Sequence, residues 1–381
     1  MMGTYDVVII GAGPAGLFLA SELADSGLRI LVLDKKKNAE DVGYDTLGSF
    51  LRPGDEDIPP SIFNPIDTVR FSSKNEFAIK KGKASIIDRR KLLTHFEKRA
   101  TKNKNLDMIY GAEVIGPEIR DGHVREVSYQ KSGKCQSVGA KIFLDCSGPG
   151  AVLAREMGLV PDKLKIAAGM EYHVPLKTAQ HETDLLVGSD LEGGYGWIFP
   201  LDSKVAIIGY GTLSEDRFAD IEESLKSMWN IKRVSERCGK RIIKRQSAIL
   251  RTGKPLKSFR KNNLLVLGDT ALQANPLVGE GVRFAMDSAR MAAKAIKESL
   301  QMDDLAPLDK YSKEWKKKYY RSYKRAYALQ NLIKGDSGND IKMDNGVRML
   351  RRMSDEDFAR LLSGEIGTFS LIGFFMKSLL K

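Results

Sequence analysis

The chain has 381 residues, is 42% apolar and carries a formal net charge of +12. This length and composition predict two or three interleaved lobes with a substantial core. The three cysteines and four histidines show no metal-ligand spacing, so we predict neither a disulfide framework nor a metal site. No run of 18 apolar residues and no signal peptide is recognisable, which predicts a reduced, cytoplasmic protein.

The N-terminal segment YDVVIIGAGPAGLFLASELADSGLRILVLDKK predicts a strand, a glycine turn, a helix and a second strand. Gly11 permits a tight turn, Gly13 lets the backbone approach a pyrophosphate, and Gly16 lets the helix pack on the strand. Asp34 ends the second strand 18 residues after Gly16, where a carboxylate accepts hydrogen bonds from ribose hydroxyls. The glycines alone would fit an ordinary turn, but the whole pattern predicts a dinucleotide site.

A second glycine-rich segment, GDTALQANPLVGEGVRFAMDSARMAA, follows a short apolar strand late in the chain. An enzyme that bound only NAD would not need such a late cofactor segment, whereas a flavin between two lobes would. Asp269 can hold ribityl hydroxyls, Pro276 fixes the turn, and Gly279 and Gly281 allow close backbone approach. A helix that begins near Val282 would direct its N–H groups at the flavin. The alternative is an ordinary turn between a strand and a helix.

The order of predicted elements indicates a discontinuous α/β fold. A Rossmann-type FAD-binding lobe alternates with a second lobe built on an antiparallel β-sheet, and a helical C-terminal region follows. We predict these boundaries: 1–45, 86–165 and 260–300 for the FAD-binding lobe; 46–85 and 166–259 for the substrate lobe; 301–381 for the helical region.

Three motifs together resemble a known family. The pairing of GAGPAG with the late glycine segment, and DCSGPG (145–150) between them, is similar to the FAD-dependent para-hydroxybenzoate-hydroxylase-like fold. Within that group, GGYGWIFP (193–200) resembles the Tyr-x-Trp-x-Phe-Pro motif of the geranylgeranyl reductases. The resemblance extends from residue 2 to about residue 300.

The resemblance adds further candidates to the cofactor site. It implies that Arg89 lies near the FAD pyrophosphate, with Arg90 as an alternative, and that the backbone of Val114 meets the adenine. The predicted FAD-binding residues are Gly11, Gly13, Pro14, Ala15, Gly16, Asp34, Lys35, Arg89, Val114, Asp269, Pro276, Gly279, Gly281 and Val282.

Tyr195, Trp197 and Phe199 alternate along one predicted strand and therefore share a face. Such rings either form the core of the second lobe or line a space for an apolar chain, and the motif match favours the second interpretation. The reaction that the resemblance implies is reduction of isolated C=C bonds in a geranylgeranyl group by a hydride and a proton. Aromatic faces can support the positive charge that develops in a dry cavity.

One departure from the family concerns the segment DVGYDTLGSF, which lacks the cysteine of many geranylgeranyl reductases. We predict that Tyr44 or Asp45 takes its place in proton delivery or redox tuning, although both residues would also fit a polar loop. Because of this gap, two alternatives stay open: a carotenoid-cyclase-like enzyme that uses reduced flavin without net redox change, and a flavin monooxygenase.

The electron donor is not encoded by a second nucleotide motif. The segment IIGYGT offers Gly209 and Gly211 without a third glycine in register. We therefore expect either transiently docking NADPH or a ferredoxin-like protein, and the positive charge is compatible with an acidic ferredoxin.

The C-terminal third combines aromatic and basic residues. Rings recur at every fourth residue in much of this stretch, at Tyr311, Trp315, Tyr319, Tyr323 and Tyr327, which predicts a buried helical stripe and no nucleic-acid binding. Eight Lys or Arg residues against one acid between residues 310 and 325, and an apolar cluster between residues 369 and 380, predict peripheral contact with the inner face of an anionic membrane. Packing of both segments on the substrate lobe is the alternative.

Overall fold

The computed structural model describes residues 5–161, 165–178 and 181–362. The strands, in chain order, are β1 (Tyr5–Ile10), β2 (Ile30–Asp34), β3 (Thr46–Ser49), β4 (Phe63–Ser72), β5 (Phe77–Asp88), β6 (Leu106–Tyr110), β7 (Glu113–Arg120), β8 (His123–Lys131), β9 (Lys134–Asp145), β10 (Lys165–Pro175), β11 (Glu182–Leu186), β12 (Gly194–Pro200), β13 (Val205–Thr212), β14 (Lys244–Thr252), β15 (Arg260–Lys261) and β16 (Leu264–Val266). The α-helices are α1 (Pro14–Glu22), α2 (Arg89–Ala100), α3 (Val152–Glu156), α4 (Ile221–Ser227), α5 (Lys232–Arg237), α6 (Val282–Met302), α7 (Asp309–Asp336), α8 (Asp340–Arg352) and α9 (Asp355–Leu362).

The first sheet has the strand order β15-β16-β9-β1-β2-β6, and the pairs β16–β9, β9–β1, β1–β2 and β2–β6 are parallel. Its central strand is apolar on both faces, because Val7, Val8 and Ile9 are fully buried. Residues of α1, α2 and α6 belong to the core on one side, and residues of β7 and β8 to the core on the other. The predicted Rossmann-type lobe is confirmed.

The second sheet has the order β14-β10-β13-β12-β11-β4-β5-β3. All its pairings are antiparallel except β4 with β11, which run parallel. The predicted second sheet is therefore confirmed, with one parallel pair that joins the early strands β3, β4 and β5 to the later ones. The exact division of the chain into lobes stays a prediction.

The C-terminal helices pack against both sheets. Tyr311, Trp315, Tyr319 and Tyr323 on α7 are buried, and Tyr327 is half-buried, so the predicted aromatic stripe faces the body of the protein. The apolar cluster predicted between residues 369 and 380 lies outside the described residues. Within the described part of the chain, no helix combines the length and the apolar character that crossing a membrane would need.

Candidate flavin and substrate site

Three motifs that are far apart in the sequence meet at one edge of the first sheet. Ile10 at the end of β1 pairs with Asp145 at the end of β9, and Asp145 pairs with Val266 at the end of β16. The Thr270 hydroxyl donates a hydrogen bond of 3.1 Å to the Gly148 carbonyl, which ties the late glycine segment to the middle one. Ligands of open parallel sheets bind at this carboxyl edge. The late segment is therefore placed beside the first nucleotide motif.

The glycines of the first turn have different structural reasons. A Cβ on Gly11, whose φ is +104°, would lie 2.3 Å from the Cys146 carbonyl oxygen, and one on Gly16 would lie 1.9 Å from the Gly11 carbonyl oxygen. Gly13 is the N-cap of α1, and a Cβ there would meet no heavy atom within 4 Å. The turn thus needs Gly11 and Gly16 for packing and leaves open space beside Gly13, which fits the approach of a phosphate to the helix N-terminus.

The first two residues of α1 complete this turn. Pro14 occupies the first helical position, where its fixed φ favours the helix and its missing N–H costs nothing. Ala15 is buried against the late segment, because a Cβ on Gly268 would lie 3.0 Å from the Ala15 Cβ.

Asp34 lies beside the turn, as the sequence predicts. Its Oδ2 accepts a hydrogen bond of 2.5 Å from the Ala12 N–H, and its Oδ1 accepts one of 2.8 Å from the Lys36 N–H. The predicted Lys35 is exposed, whereas Lys36 reaches back so that its Nζ donates to the Ala12 carbonyl at 3.0 Å. Burial lowers the pKa of Lys36, although the charge of Asp34 acts in the opposite direction. Lys35 is the residue predicted from the sequence, whereas Lys36 is the lysine that contacts the turn.

Val114 is placed close to the end of β2. The Ala112 N–H donates a hydrogen bond of 2.9 Å to the Asp34 carbonyl, which brings the start of β7 beside Asp34. Val114 is buried there, two residues further along the chain. This position is compatible with the predicted backbone contact.

Arg89 and Arg90 occupy different environments at the start of α2. The Arg89 guanidinium is half-buried and lies 4.2 Å from the centre of the Tyr44 ring, and its Nε is buried without a hydrogen-bond partner in the described structure. Arg90 is exposed, and its Nη2 lies 3.6 Å from Asp45 Oδ2. A buried unpaired donor is costly unless a ligand satisfies it, so the geometry favours Arg89 for an anionic group.

Asp269 adjoins the N-terminus of α6. A Cβ on Gly281 would lie 3.4 Å from Asp269 Oδ1. Burial raises the pKa of Asp269, while the charges of Arg89 and Arg251 act to lower it. The carboxylate, the Arg89 guanidinium and the N-terminus of α6 therefore form one polar region, which fits a long cofactor with both hydroxyl and phosphate groups.

The turn before α6 is tight and ends without a side-chain cap. Gly279 has a φ of +71°, and its N–H donates a hydrogen bond of 2.8 Å to the Asn275 carbonyl. The Pro276 carbonyl accepts a hydrogen bond from Gln330 on α7. Helix α6 begins at Val282, and Gly281 is its N-cap. Because Gly281 has no side chain, it does not cap the first N–H groups of the helix.

A cavity of about 260 Å³, the central cavity, lies between this turn and the second sheet. Its lining includes the predicted cofactor residues Pro276, Gly279, Gly281 and Val282, and the predicted catalytic residues Tyr44, Tyr195, Trp197 and Phe199. Residues predicted for the cofactor and for the substrate thus share one space.

The three aromatic residues of β12 stand on one face of the strand. The ring centres of Tyr195 and Trp197 are 5.5 Å apart, and those of Trp197 and Phe199 are 6.0 Å apart. Trp197 is 9% exposed, whereas Tyr195 and Phe199 are half-buried and line a second cavity as well. The rings therefore form a wall of the site as well as part of the packed lobe.

That second space, the apolar cavity, has a volume of about 430 Å³ and lies between the second sheet and helices α7, α8 and α9. It shares Tyr195, Phe199, Leu277 and Val278 with the central cavity. The rest of its lining is mainly aliphatic and aromatic and includes Ile66, Val69, Phe71, Leu185, Val347 and Phe358. A long apolar chain placed there would have one end beside the aromatic rings.

Tyr44 and Asp45, predicted to replace the missing cysteine, differ in position. Tyr44 lines the central cavity, and burial raises the pKa of its phenol. Asp45 is buried beside cationic and polar groups instead, with Lys244 Nζ 2.6 Å from its Oδ2 and His173 Nε2 3.3 Å from its Oδ1. Burial acts to raise the pKa of Asp45, but hydrogen bonds from His173, Lys244 and Gln246 hold it well below its usual range. This side chain is therefore a carboxylate, which does not suit a proton donor.

Glu171 on β10 is a candidate that the sequence did not reveal. It lines the central cavity, and its Oε1 accepts a hydrogen bond of 2.9 Å from Trp197 Nε1. Burial raises the pKa of Glu171 to about 7, against the hydrogen bond from Trp197, and the charge of Asp45 adds to the increase. No motif marks this residue, because it lies in an ordinary strand sequence, KIAAGMEYHVP.

The FAD dependent oxidoreductase family model matches residues 6–157. Over 381 aligned residues, the chain is 26% identical to digeranylgeranylglycerophospholipid reductase 1 of Methanococcoides burtonii, with 95% of this chain and 90% of that protein covered. A geranylgeranyl bacteriochlorophyll reductase-like protein of Thermoplasma acidophilum has a TM-score of 0.85 at 21% identity, over 99% of this chain and 97% of the other. The flavin-dependent brominase Bmp2 has a TM-score of 0.74 at 18% identity, over 99% of each chain.

The fold, the nucleotide motifs and the family match define an FAD-dependent oxidoreductase, and FAD is the cofactor. Within that class, the resemblance to geranylgeranyl reductases that the motifs indicated is confirmed by the curated relative. The two solved structures share the fold with this chain.

Proposed function

We propose that the protein is an FAD-dependent reductase that saturates C=C bonds of geranylgeranyl chains in prenylated lipids. The observation that carries the proposal is that the apolar cavity and the central cavity share Tyr195 and Phe199 in their linings and are therefore adjacent. A long apolar chain could lie along the aliphatic lining while one of its double bonds reaches the aromatic rings. The similarity to a digeranylgeranylglycerophospholipid reductase supports this substrate class.

In this proposal Tyr195, Trp197 and Phe199 position the double bond and exclude water from it. When bound in its reduced form, FAD supplies the hydride. The aromatic faces stabilise positive charge on the substrate without reacting, and the apolar lining strengthens that electrostatic interaction by keeping water out.

We further propose that the cofactor extends from the first glycine turn, beside Gly13 and Asp34, to the polar region around Asp269, with Arg89 between them. The open space at Gly13, Asp34 and the backbone near Val114 would hold the nucleotide part, with Arg89 at the phosphates. Asp269 and the segment from Pro276 to Val282 would hold the ribityl and ring part. All of these residues fall in the three segments predicted from the sequence for the FAD-binding lobe, 1–45, 86–165 and 260–300.

The electron donor and a membrane contact belong to the same proposal. Either NADPH or a ferredoxin-like protein would reduce the flavin by transient docking. Several basic residues of α7, including Lys313, Lys317 and Arg321, are exposed on the side away from the buried aromatic stripe. That face suits an anionic lipid surface, from which a prenylated substrate could enter.

The proposal is tested by oxidation of the pre-reduced enzyme under anaerobic conditions. Addition of a digeranylgeranylglyceryl phospholipid should restore the absorbance of oxidised flavin, whereas the fully saturated analogue should not. Trp197→Ala should slow this oxidation about 100-fold or more while it retains FAD. Equal oxidation rates with both lipids would contradict the proposal.

A further inference from the structure

Resting on the proposed function, we propose that Glu171 is the proton donor for the reduced double bond and that Trp197 positions its carboxyl group. Glu171 and Trp197 both line the central cavity, where the substrate chain would meet the cofactor. The Trp197 indole N–H is hydrogen-bonded to Oε1 of Glu171. The other oxygen, Oε2, is buried and has no hydrogen-bond partner among the described residues. That oxygen is available to carry the transferable proton.

The burial of the carboxyl group explains why it is an acid at neutral pH. Glu171 as a whole is half-buried because its side chain borders the cavity, but Oε2 itself is screened from solvent. Desolvation disfavours the charged form and brings the pKa of Glu171 to about 7. A general acid works best when its pKa is close to the working pH, because the protonated form is present and still gives up its proton.

The other acidic groups around the cavity are less suitable. Tyr44 and Tyr195 line it, but burial raises the pKa of each phenol, to about 12 for Tyr195. Glu280 also lines the cavity, but its Oε1 accepts hydrogen bonds from the Ser49 hydroxyl and the Phe50 N–H, and its Oε2 lies 3.4 Å from Arg283. Asp45 is held as a carboxylate by its cationic neighbours.

The two residues in register with Glu171 on the neighbouring strands carry no positive charge. They are Gly209 on β13, which has no side chain, and Gln246 on β14, whose amide contacts His173 and Asp45. His173 and Lys244 stand on the same face, and both are directed to Asp45. Asp45 thus takes the nearby positive charge, and its own negative charge helps to keep the proton on Glu171.

The step balances as a two-electron reduction. The π bond of the alkene breaks, and two C–H bonds form, one with the proton from the Glu171 O–H and one with a hydride from the reduced flavin. The alkene gains the two electrons that the flavin loses, and Glu171 is left as a carboxylate that solvent reprotonates. The Trp197 N–H then donates to a charged acceptor, so this hydrogen bond becomes stronger as the proton leaves.

The test compares Glu171→Gln, Glu171→Asp and wild type in the anaerobic oxidation of FAD-loaded, pre-reduced enzyme by the digeranylgeranylglyceryl phospholipid. Glu171→Gln should be about 100-fold slower or more, with unchanged FAD affinity and unchanged substrate KM. The wild-type rate should fall as pH rises above about 7. Glu171→Asp should recover part of the activity with a displaced pH profile, and the residual rate of Glu171→Gln should lose this pH dependence.

Glu222→Gln is the matched control. Glu222 accepts a hydrogen bond from Tyr172, the residue that follows Glu171 on β10, and neither Tyr172 nor Glu222 lines the central cavity. It should behave like wild type. A Glu171→Gln enzyme that binds FAD and turns over within threefold of wild type would overturn the role of Glu171 alone. A wild-type enzyme that saturates no double bond would overturn the proposed function, and the role of Glu171 with it.

Discussion

Trp197 lies directly over Gly209 of the neighbouring strand: a Cβ on Gly209 would be 2.1 Å from Trp197 Cε2. Strand β13 therefore carries a glycine at this register because the indole ring takes the space of a side chain. The ring is held flat across the sheet, and its N–H reaches Glu171. Gly209, which the sequence offered only as part of an incomplete nucleotide motif, thus shapes the central cavity.

We expect Gly209→Ala to displace the Trp197 ring. The overlap cannot be relieved without moving the indole or the strand, so the variant should be less stable by about 1–3 kcal/mol and should turn over slowly. Thermal unfolding and the flavin oxidation assay measure the two effects. Gly116→Ala on β7 is the control, because a Cβ there meets no atom within 4 Å. Equal behaviour of both variants would show that the ring position does not matter.

Asp269→Asn should weaken FAD binding. The substitution keeps the shape of the side chain but removes its charge and one acceptor, so hydroxyl groups of the cofactor would lose a charge-assisted hydrogen bond. We expect about a tenfold or greater increase in Kd, measured by fluorescence titration of the apoprotein. Asp303→Asn, at the far end of α6, should leave the Kd unchanged. An unaltered Kd for Asp269→Asn would exclude a direct contact.

A larger side chain in the apolar cavity should shorten the chain that can be accommodated. Ala84 lines this cavity on β5. The Ala84→Phe enzyme should therefore reduce fewer double bonds in each substrate molecule. Its affinity for FAD and its rate with a short prenyl substrate should stay close to those of the wild type. Ala84→Ser preserves the volume and is the control. A product distribution that is identical for both variants would argue against this cavity as the binding site.

The raised pKa of Glu171 should appear in the pH dependence of stability. The folded state holds this proton up to a pH of about 7, whereas the ordinary pKa of a glutamic acid is 4.5. The contribution of the protonated group is therefore complete below about pH 4.5 and is lost as pH rises to about 7. Glu171→Gln lacks this loss, so its stability relative to wild type should increase by on the order of 1–3 kcal/mol between pH 5 and pH 8. Chemical denaturation at both pH values measures the difference, and a constant difference would contradict the raised pKa.

Local patterns carried most of the information about the fold. The glycine turn, Asp34 and the late segment around Asp269 are each recognisable within a few residues, and the parallel sheet places them together. The aromatic alternation of β12 likewise predicted a shared face. These features depend on backbone conformation and strand periodicity, which short segments encode.

The features that the sequence did not reveal depend on contacts between distant segments. Lys36 rather than Lys35 donates to the Ala12 carbonyl, a contact between residues 24 positions apart in the sequence. Glu171 is distinguished only by burial beside Trp197, a residue of another strand. The position of Asp45 depends on Lys244, which is 199 residues away. Such tertiary pairs have no local pattern.

Reduction of geranylgeranyl double bonds is tested most directly by the mass of the product. Dithionite-reduced enzyme should convert a digeranylgeranylglyceryl phospholipid into products that are heavier by successive pairs of hydrogen atoms. In deuterated water each reduced bond should also carry deuterium at the protonated carbon. A product of unchanged mass with a new ring, or a hydroxylated product that requires oxygen, would contradict the account.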